Sequence, residues 1–297
     1  MNKKIRQIFI LSLILVLTFV LAACGGKSEN NQGSSGSDSG SADQGTKKVT
    51  IKIAHPNPTS HINHKAATFW KERMEEKSNG AIQVEIFPGE QLGSASSLLN
   101  TAKNKIADIS YVVSMYYSDV LPLSGIASNP GLVNEVNSGA KAYNKLLKED
   151  LYELEYKPNG VKPLWGAVSA PAQILTSKKP MKTIEDFKGL KTVVPGGSFE
   201  QMMHNWGATP VVVTGAEIFS SWERGIVEGA VLGISSIPAY QLESLVKYAS
   251  TNAALSAFGF AVVVNENVFN SWPKEIQDIV QETADETLQY FIDEMNG

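Results

Sequence analysis

Three of the four histidines, His55, His61 and His64, fall within ten positions of one another, and the last two sit three apart at the start of a helical pattern. Imidazoles at that spacing could ligate a metal or carry a proton. A divalent site needs further ligands, yet no acidic residue or cysteine joins them at ligand spacing, and His55 lies just before two prolines, Pro56 and Pro58. They read as helix-capping or cleft-lining groups, and no metal is expected. Nucleophile elbow, phosphate loop, zinc-protease pair and dinucleotide glycine fingerprint are all missing, as is any defensible Ser-His-Asp or paired-carboxylate motif. Gly196-Gly197 after a strand is a permissive turn. The sequence shows no catalytic apparatus, and no cofactor is expected.

The remaining reactive side chain is Cys24, the only cysteine among 297 residues. It cannot form an intramolecular disulfide, so the fold must rest on core burial. Lys3, Lys4 and Arg6 precede an apolar run from Ile8 to Ala23, broken only by Ser12 and Thr18. The run is shorter than the roughly 20 residues that span a bilayer comfortably, and it has the charge-then-apolar order of an export signal. It ends in Leu21-Ala22-Ala23-Cys24-Gly25, which resembles the bacterial lipobox. Residues 1–23 are therefore expected to be a lipoprotein signal peptide, with Cys24 lipidated and anchored on the extracytoplasmic face of the cell membrane. Two acyl chains there would anchor stably where one would be marginal. The segment 24–48 is rich in Gly, Ser, Asn, Asp and Gln, without aromatic or branched aliphatic residues, and reads as a flexible tether.

From Val49 onward, short branched-aliphatic runs alternate with helical patterns. Strands are expected at 49–54, 82–87, 109–113, 161–165, 173–177, 191–194, 210–213, 229–234 and 260–265. Helices are expected at 60–78, 94–104, 138–149, 198–206, 216–225, 238–246 and 273–294, with a capping box at Thr183–Asp186 opening a single turn. Such alternation means an α/β architecture with mainly parallel pairing. Formal charge is −4, from 26 basic and 30 acidic residues, with no basic cluster outside the signal. That balance excludes nucleic acid as a partner.

Several segments together resemble the solute-binding subunits of tripartite ATP-independent periplasmic (TRAP) transporters. Ile53-Ala54-His55 with Pro58 and His61, then Phe87-Pro88-Gly89-Glu90-Gln91-Leu92-Gly93 and Ile106-Ala107-Asp108-Ile109, look like the family's opening. More specific are Asp186-Phe187-Lys188-Gly189-Leu190-Lys191, Val194-Pro195-Gly196 and Gly207-Ala208-Thr209-Pro210. Glu217, Phe219, Arg224-Gly225, Glu228-Gly229, Asn265 and Trp272-Pro273 continue the match to the end of the chain. The resemblance implies a two-lobed, periplasmic-binding-protein-like (type II) fold whose cleft closes on a small solute and delivers it to TRAP membrane subunits. Lobe I would comprise 49–170 plus 259–297, and lobe II 171–258. An ABC-type binding lipoprotein or a ligand-sensing surface lipoprotein would share the anchor and two-lobe form; an extracellular hydrolase would need a motif not found.

This chain departs from the family where the ligand is usually held. Where the family places an arginine that clamps a carboxylate, the sequence has Val193; a second common arginine is Gln173, and a familiar asparagine is Leu232. Burying a carboxylate without a cation or donors costs several kcal/mol. A neutral or more apolar ligand is therefore expected, oriented by Gln173 and His55, with Tyr116, Trp165 and Phe219 as walls beside Val193 and Leu232. The resemblance further implies a few dozen residues beyond the long helix, so the C-terminal completion of the second lobe is expected to be missing at Gly297.

Overall fold

Ile51 and Ile53 alternate with Thr50 and Lys52, and that period of two gives β1 (Val49–Ala54) one buried face. β1 opens a computed structural model that describes residues 48–296 except Pro195 and Ser256. The signal segment, Cys24 and nearly all of the tether lie outside the described residues. From β1 the chain passes through α1 (Ile62–Lys77), β2 (Ile82–Phe87), α2 (Leu98–Lys103), β3 (Ile109–Val113) and α3 (Val136–Leu146). It continues through β4 (Val161–Val168), β5 (Gln173–Thr176), β6 (Lys191–Val194), α4 (Ser198–Asn205) and β7 (Thr209–Val212). Then follow α5 (Ile218–Glu223), β8 (Gly229–Leu232), α6 (Ser236–Ala239) and β9 (Tyr248–Ala249). β10 (Gly259–Asn265), α7 (Glu266–Ser271) and α8 (Lys274–Asn296) complete it.

Two five-stranded sheets result, ordered β2-β1-β3-β10-β4 and β7-β6-β8-β5-β9. Pairing is mixed, which corrects the expectation of mainly parallel sheets. β1 runs parallel to β2 and β3, and β6 to β7 and β8, but β10 is antiparallel to β3 and β4, and β5 to β8 and β9. The reversed strands are the first the chain makes after each passage from one sheet to the other. A chain arriving from the facing sheet enters at the near end and must run away from it. Alternation of apolar residues fixes that a segment is a strand, whereas its direction is set by this crossing. At the crossing itself the Ser169 amide donates to the Phe258 carbonyl (2.9 Å) and the Phe258 amide donates to Ser169 Oγ (2.9 Å).

The first sheet's core is aromatic. Trp165 meets Trp70, Tyr111 and Phe260 edge-on, and Phe291 of α8 packs against Trp165 and Phe260. Trp70 Nε1 donates to Thr283 Oγ1 (2.9 Å), while Arg73 and Lys77 of α1 pair with Glu286 of α8. The second sheet buries Val194, Phe199 and Met203 on one side and Leu175, Val193, Ile218 and Trp222 on the other.

The helix expected at 94–104 shortens to Leu98–Lys103 and β9 is not expected, and three further local changes have a visible setting. The helix expected at 138–149 begins at Val136 and passes at Leu147 into a π-helical segment, Leu147–Tyr156. That wider winding turns the buried carboxylate of Glu155 toward the turn at Leu123–Ser128, where it accepts from the amides of Leu123 and Ser124 and from Ser124 Oγ. The helix expected at 238–246 shrinks to α6, because Gln241 adopts a left-handed backbone (φ 59°) that ends the winding. The turn α7, not expected, is capped by Asn265, whose Oδ1 accepts from the Val268 amide (3.1 Å). No helix among the described residues is long and apolar enough to cross a membrane.

Gly166 in β4 has no room for a side chain: an added Cβ would lie 2.6 Å from the Phe260 carbonyl oxygen of β10 and against Leu147. Gly166→Ala is expected to lower stability by about 1–3 kcal/mol by forcing β4 from β10. Thermal unfolding checks this, the expected result being a melting point several degrees lower.

Candidate functional site

The carboxyl ends of the parallel strands of both sheets face one another, the usual place for a ligand in open α/β sheets. Pro56 follows β1, Val113 ends β3, Ser169 follows β4, Val213 follows β7 and Gly233 follows β8, and all line one cavity with Val193 of β6. Its empty space is about 990 Å³, including the open solvent at its mouth. Val193, Val213, Ile218, Val231 and Leu232 form the wall from the second sheet. Val113, Met115, Tyr116 and Phe260 form the wall from the first. None of the described residues that line it is Asp, Glu, Lys or Arg.

Polar groups cluster at one rim. The Asn63 amide nitrogen donates to Asn57 Oδ1 (2.9 Å), and Asn57 Nδ2 donates across the cleft to Tyr240 Oη (3.0 Å). Beside them Ser60 Oγ donates to the Ala239 carbonyl (3.1 Å). At another point Ser198 Oγ donates to the Ser128 carbonyl (2.9 Å), so the lobes touch at both places. Tyr240 fits because residue 215 is glycine; a Cβ there would stand 2.8 Å from Oη and 3.0 Å from the ring. His61 caps α1, its Nδ1 accepting from the Asn63 amide (3.1 Å), and its ring lies 5.8 Å from that of Tyr240.

Of the seven residues expected to bind ligand, Tyr116, Val193 and Leu232 line this cavity. The other four do not, and each has a structural occupation. His55 is fully buried behind the cleft, its Nε2 3.0 Å from His64 Nδ1 and its ring 5.7 Å from Tyr111. Trp165 is the centre of the first sheet's aromatic core. Gln173 turns its Oε1 away to accept from Ser250 Oγ (2.7 Å) and the Ala253 amide (3.1 Å), tying down the return crossing. Phe219 is half-buried and packs with Val193, Ile218 and Trp222 in the second sheet's core. Asn57 and Tyr240 are not expected at the site from the sequence, whereas His61, read there as a helix-capping or cleft-lining group, caps α1 and lines the cavity. His61 carried the signal of a helix cap, whereas Tyr240 fell inside an expected helix and gave none.

Burial pushes His55 down to about 3, helped by the neighbouring His64 and His61 and opposed by the backbone at Asn57. Burial alone takes His61 down to about 4, and it also lowers His64. Tyr116 and Tyr240 are both raised, chiefly by burial, so each keeps its proton at neutral pH. Among the described residues no group of three or more His, Cys, Asp or Glu side chains is placed to hold a metal ion. The chain has three arginines, Arg6, Arg73 and Arg224. Arg73 is paired with Glu286 and Glu76, and Arg224 is exposed beyond α5; neither lines the cavity. The arrangement can desolvate a small molecule against apolar walls and orient it with neutral donors.

Two α/β lobes with such a cleft define a type II, periplasmic-binding-protein-like fold. The profile of DctP, bacterial extracellular solute-binding protein family 7, matches residues 53–296, and the chain belongs to that family. It is therefore an extracellular solute-binding protein and not an enzyme. YiiZ, an uncharacterized protein of Salmonella typhimurium, is 29% identical over 196 residues, or 62% of this chain. The match spans 56% of that relative's length. DctP7, a Bordetella pertussis extracytoplasmic solute receptor binding pyroglutamic acid, superposes with a TM-score of 0.76 at 20% identity, over 84% of this chain and 81% of that one. A TRAP solute-binding protein from Rhodoferax ferrireducens, in complex with copurified benzoate, superposes equally well (0.76) at 21% identity, over 84% and 78% of the two chains. These superpositions show the shared fold.

The histidine environment predicts how stability follows pH. Below its ordinary value of 6.5, His55 takes up a proton in the unfolded chain while the folded ring stays neutral down to about 3. Stability is thus fully present above pH 6.5 and is lost as pH falls, by up to about 1.4 kcal/mol per unit from this one group. Melting curves between pH 7 and 4 should show this decline, and His55→Gln should flatten part of it.

Proposed function

We propose that this chain is the lipid-anchored receptor of a TRAP transporter, and that its ligand is uncharged or largely apolar rather than a simple organic acid. The observation that carries the ligand reading is the lining of the cleft: apolar walls and a rim of neutral polar groups such as Asn57, His61, Asn63 and Tyr240, with no Asp, Glu, Lys or Arg among the described residues. A carboxylate entering this cleft would lose its water without meeting a cation, at a cost of several kcal/mol. The fold neighbours that bind pyroglutamic acid and benzoate make organic acids the natural alternative. Val193, at the position where the family resemblance implies a clamping arginine, argues against carrying that preference over.

In this reading 49–170 with 259–297 forms one lobe and 171–258 the other, and closure seals the cleft around the solute before the membrane subunits receive it. Cys24 holds the receptor at the extracytoplasmic face of the membrane, so the tether sets a high local concentration near the transporter. The sequence motif at Leu21–Gly25 supports the anchor. Replacing Cys24→Ser should release the protein from the membrane fraction into the medium; retention at the membrane would contradict lipidation.

The ligand reading is tested with a matched pair. Benzamide and benzoate share size and shape, and only benzoate is charged at pH 7. Calorimetry should give benzamide at least about tenfold tighter binding, as expected for about 1.4 kcal/mol or more of uncompensated charge burial. Tighter binding of benzoate would overturn it.

A further inference from the structure

Two neutral side chains at the rim of the cleft have their hydrogen-bond polarity fixed by the protein. His61 Nδ1 accepts from the Asn63 amide, so that nitrogen bears no proton, and the ring of a neutral histidine then carries its hydrogen on Nε2. Tyr240 Oη accepts from Asn57 Nδ2, and Asn57 is oriented in turn by the Asn63 side chain donating to its Oδ1. The hydroxyl hydrogen of Tyr240 is left to point elsewhere, and among the described residues neither it nor His61 Nε2 meets an acceptor. Both rings line the cavity, with centroids 5.8 Å apart. Gly215, with no Cβ, leaves the room that the Tyr240 ring and hydroxyl occupy.

We infer that His61 Nε2–H and Tyr240 Oη–H form a donor pair that takes the acceptor group of the ligand, which in an uncharged solute is the carbonyl oxygen of a ketone, ester, amide or lactam on an apolar body. The inference rests on the reading of the cleft as a site for an uncharged solute, and it names the class within that reading. The acceptor sits at the polar rim, and the apolar body lies against Val193, Val213, Ile218 and Leu232. A ligand that offers only donors at this point would leave two donors facing two donors, a mismatch that water could not relieve once the cleft is closed. Because Tyr240 belongs to one lobe and its orienting partner Asn57 to the other, the second donor is aimed only when the lobes meet. Acceptor recognition and closure are thereby coupled.

The test uses the full-length protein and two probes of nearly equal size: acetophenone, which carries one carbonyl on an aromatic ring, and ethylbenzene, which carries none. Calorimetry should show acetophenone binding more tightly. Tyr240→Phe, which keeps the ring, should weaken acetophenone about fivefold and leave ethylbenzene nearly unchanged. His61→Asn, which keeps an oxygen to cap α1, should do the same. Equal weakening of both probes would show that Tyr240 acts only as a latch between lobes and would overturn the donor pair. No binding of acetophenone, or no preference over ethylbenzene, would overturn it as well. Those outcomes leave a preference for benzamide over benzoate standing, whereas reversal of that preference removes the uncharged-ligand reading itself. Melting curves of each variant, taken beside wild type, separate misfolding from lost recognition.

Discussion

β10 lies between β3 and β4, and on this pairing the rest of the molecule depends. Val112 and Gly166 face Ala261 from either side, so the first sheet cannot close until the chain has traversed the whole of the second and come back. That single return fixes two chain crossings side by side, at Ser169 and Phe258, joined by their mutual hydrogen bonds. It also fixes which ends of the strands oppose each other, and hence where a cleft can exist. Gln173 and Ser250, on either crossing segment, are bonded to each other and make the same joint stiffer.

Much of this was legible in the sequence, for a physical reason. β1, β2, β3 and β6 have the bounds that apolar alternation gave them, because a strand with one or two buried faces must show its faces in its residues. The capping box at Thr183–Asp186 opens the short turn expected of it. Direction was not legible, since β5 and β10 are reversed by long-range connection rather than by composition. Nor was the π-helical segment, which brings Glu155 to the distant amides of Leu123 and Ser124. α6 ended early on the left-handed Gln241, a residue type that carries no turn signal.

The site was legible in part. Tyr116, Val193 and Leu232 reach the cavity, while His55, Trp165, Gln173 and Phe219 are occupied elsewhere. A residue at a strand end can face the cleft or the layer behind it, and one-dimensional spacing does not distinguish them. His55 and His61 illustrate this: six positions apart, one is sealed against Tyr111 and the other caps a helix at the cavity rim. What the sequence did convey was the absence of the clamping arginines, with Val193 and Gln173 in their places. With Arg73 bound to Glu286 and Arg224 exposed, no arginine among the described residues stands ready to replace the one absent at Val193.

A cleft without charge is therefore the central claim, and its consequence is chemical: the solute must bring no charge that needs an answer. The most direct measurement is mass-spectrometric identification of the small molecule carried by the receptor when it is purified from its own cells without added ligand. An uncharged compound with a carbonyl oxygen on an apolar frame is the result expected. A mono- or dicarboxylate held in stoichiometric amount would contradict the account.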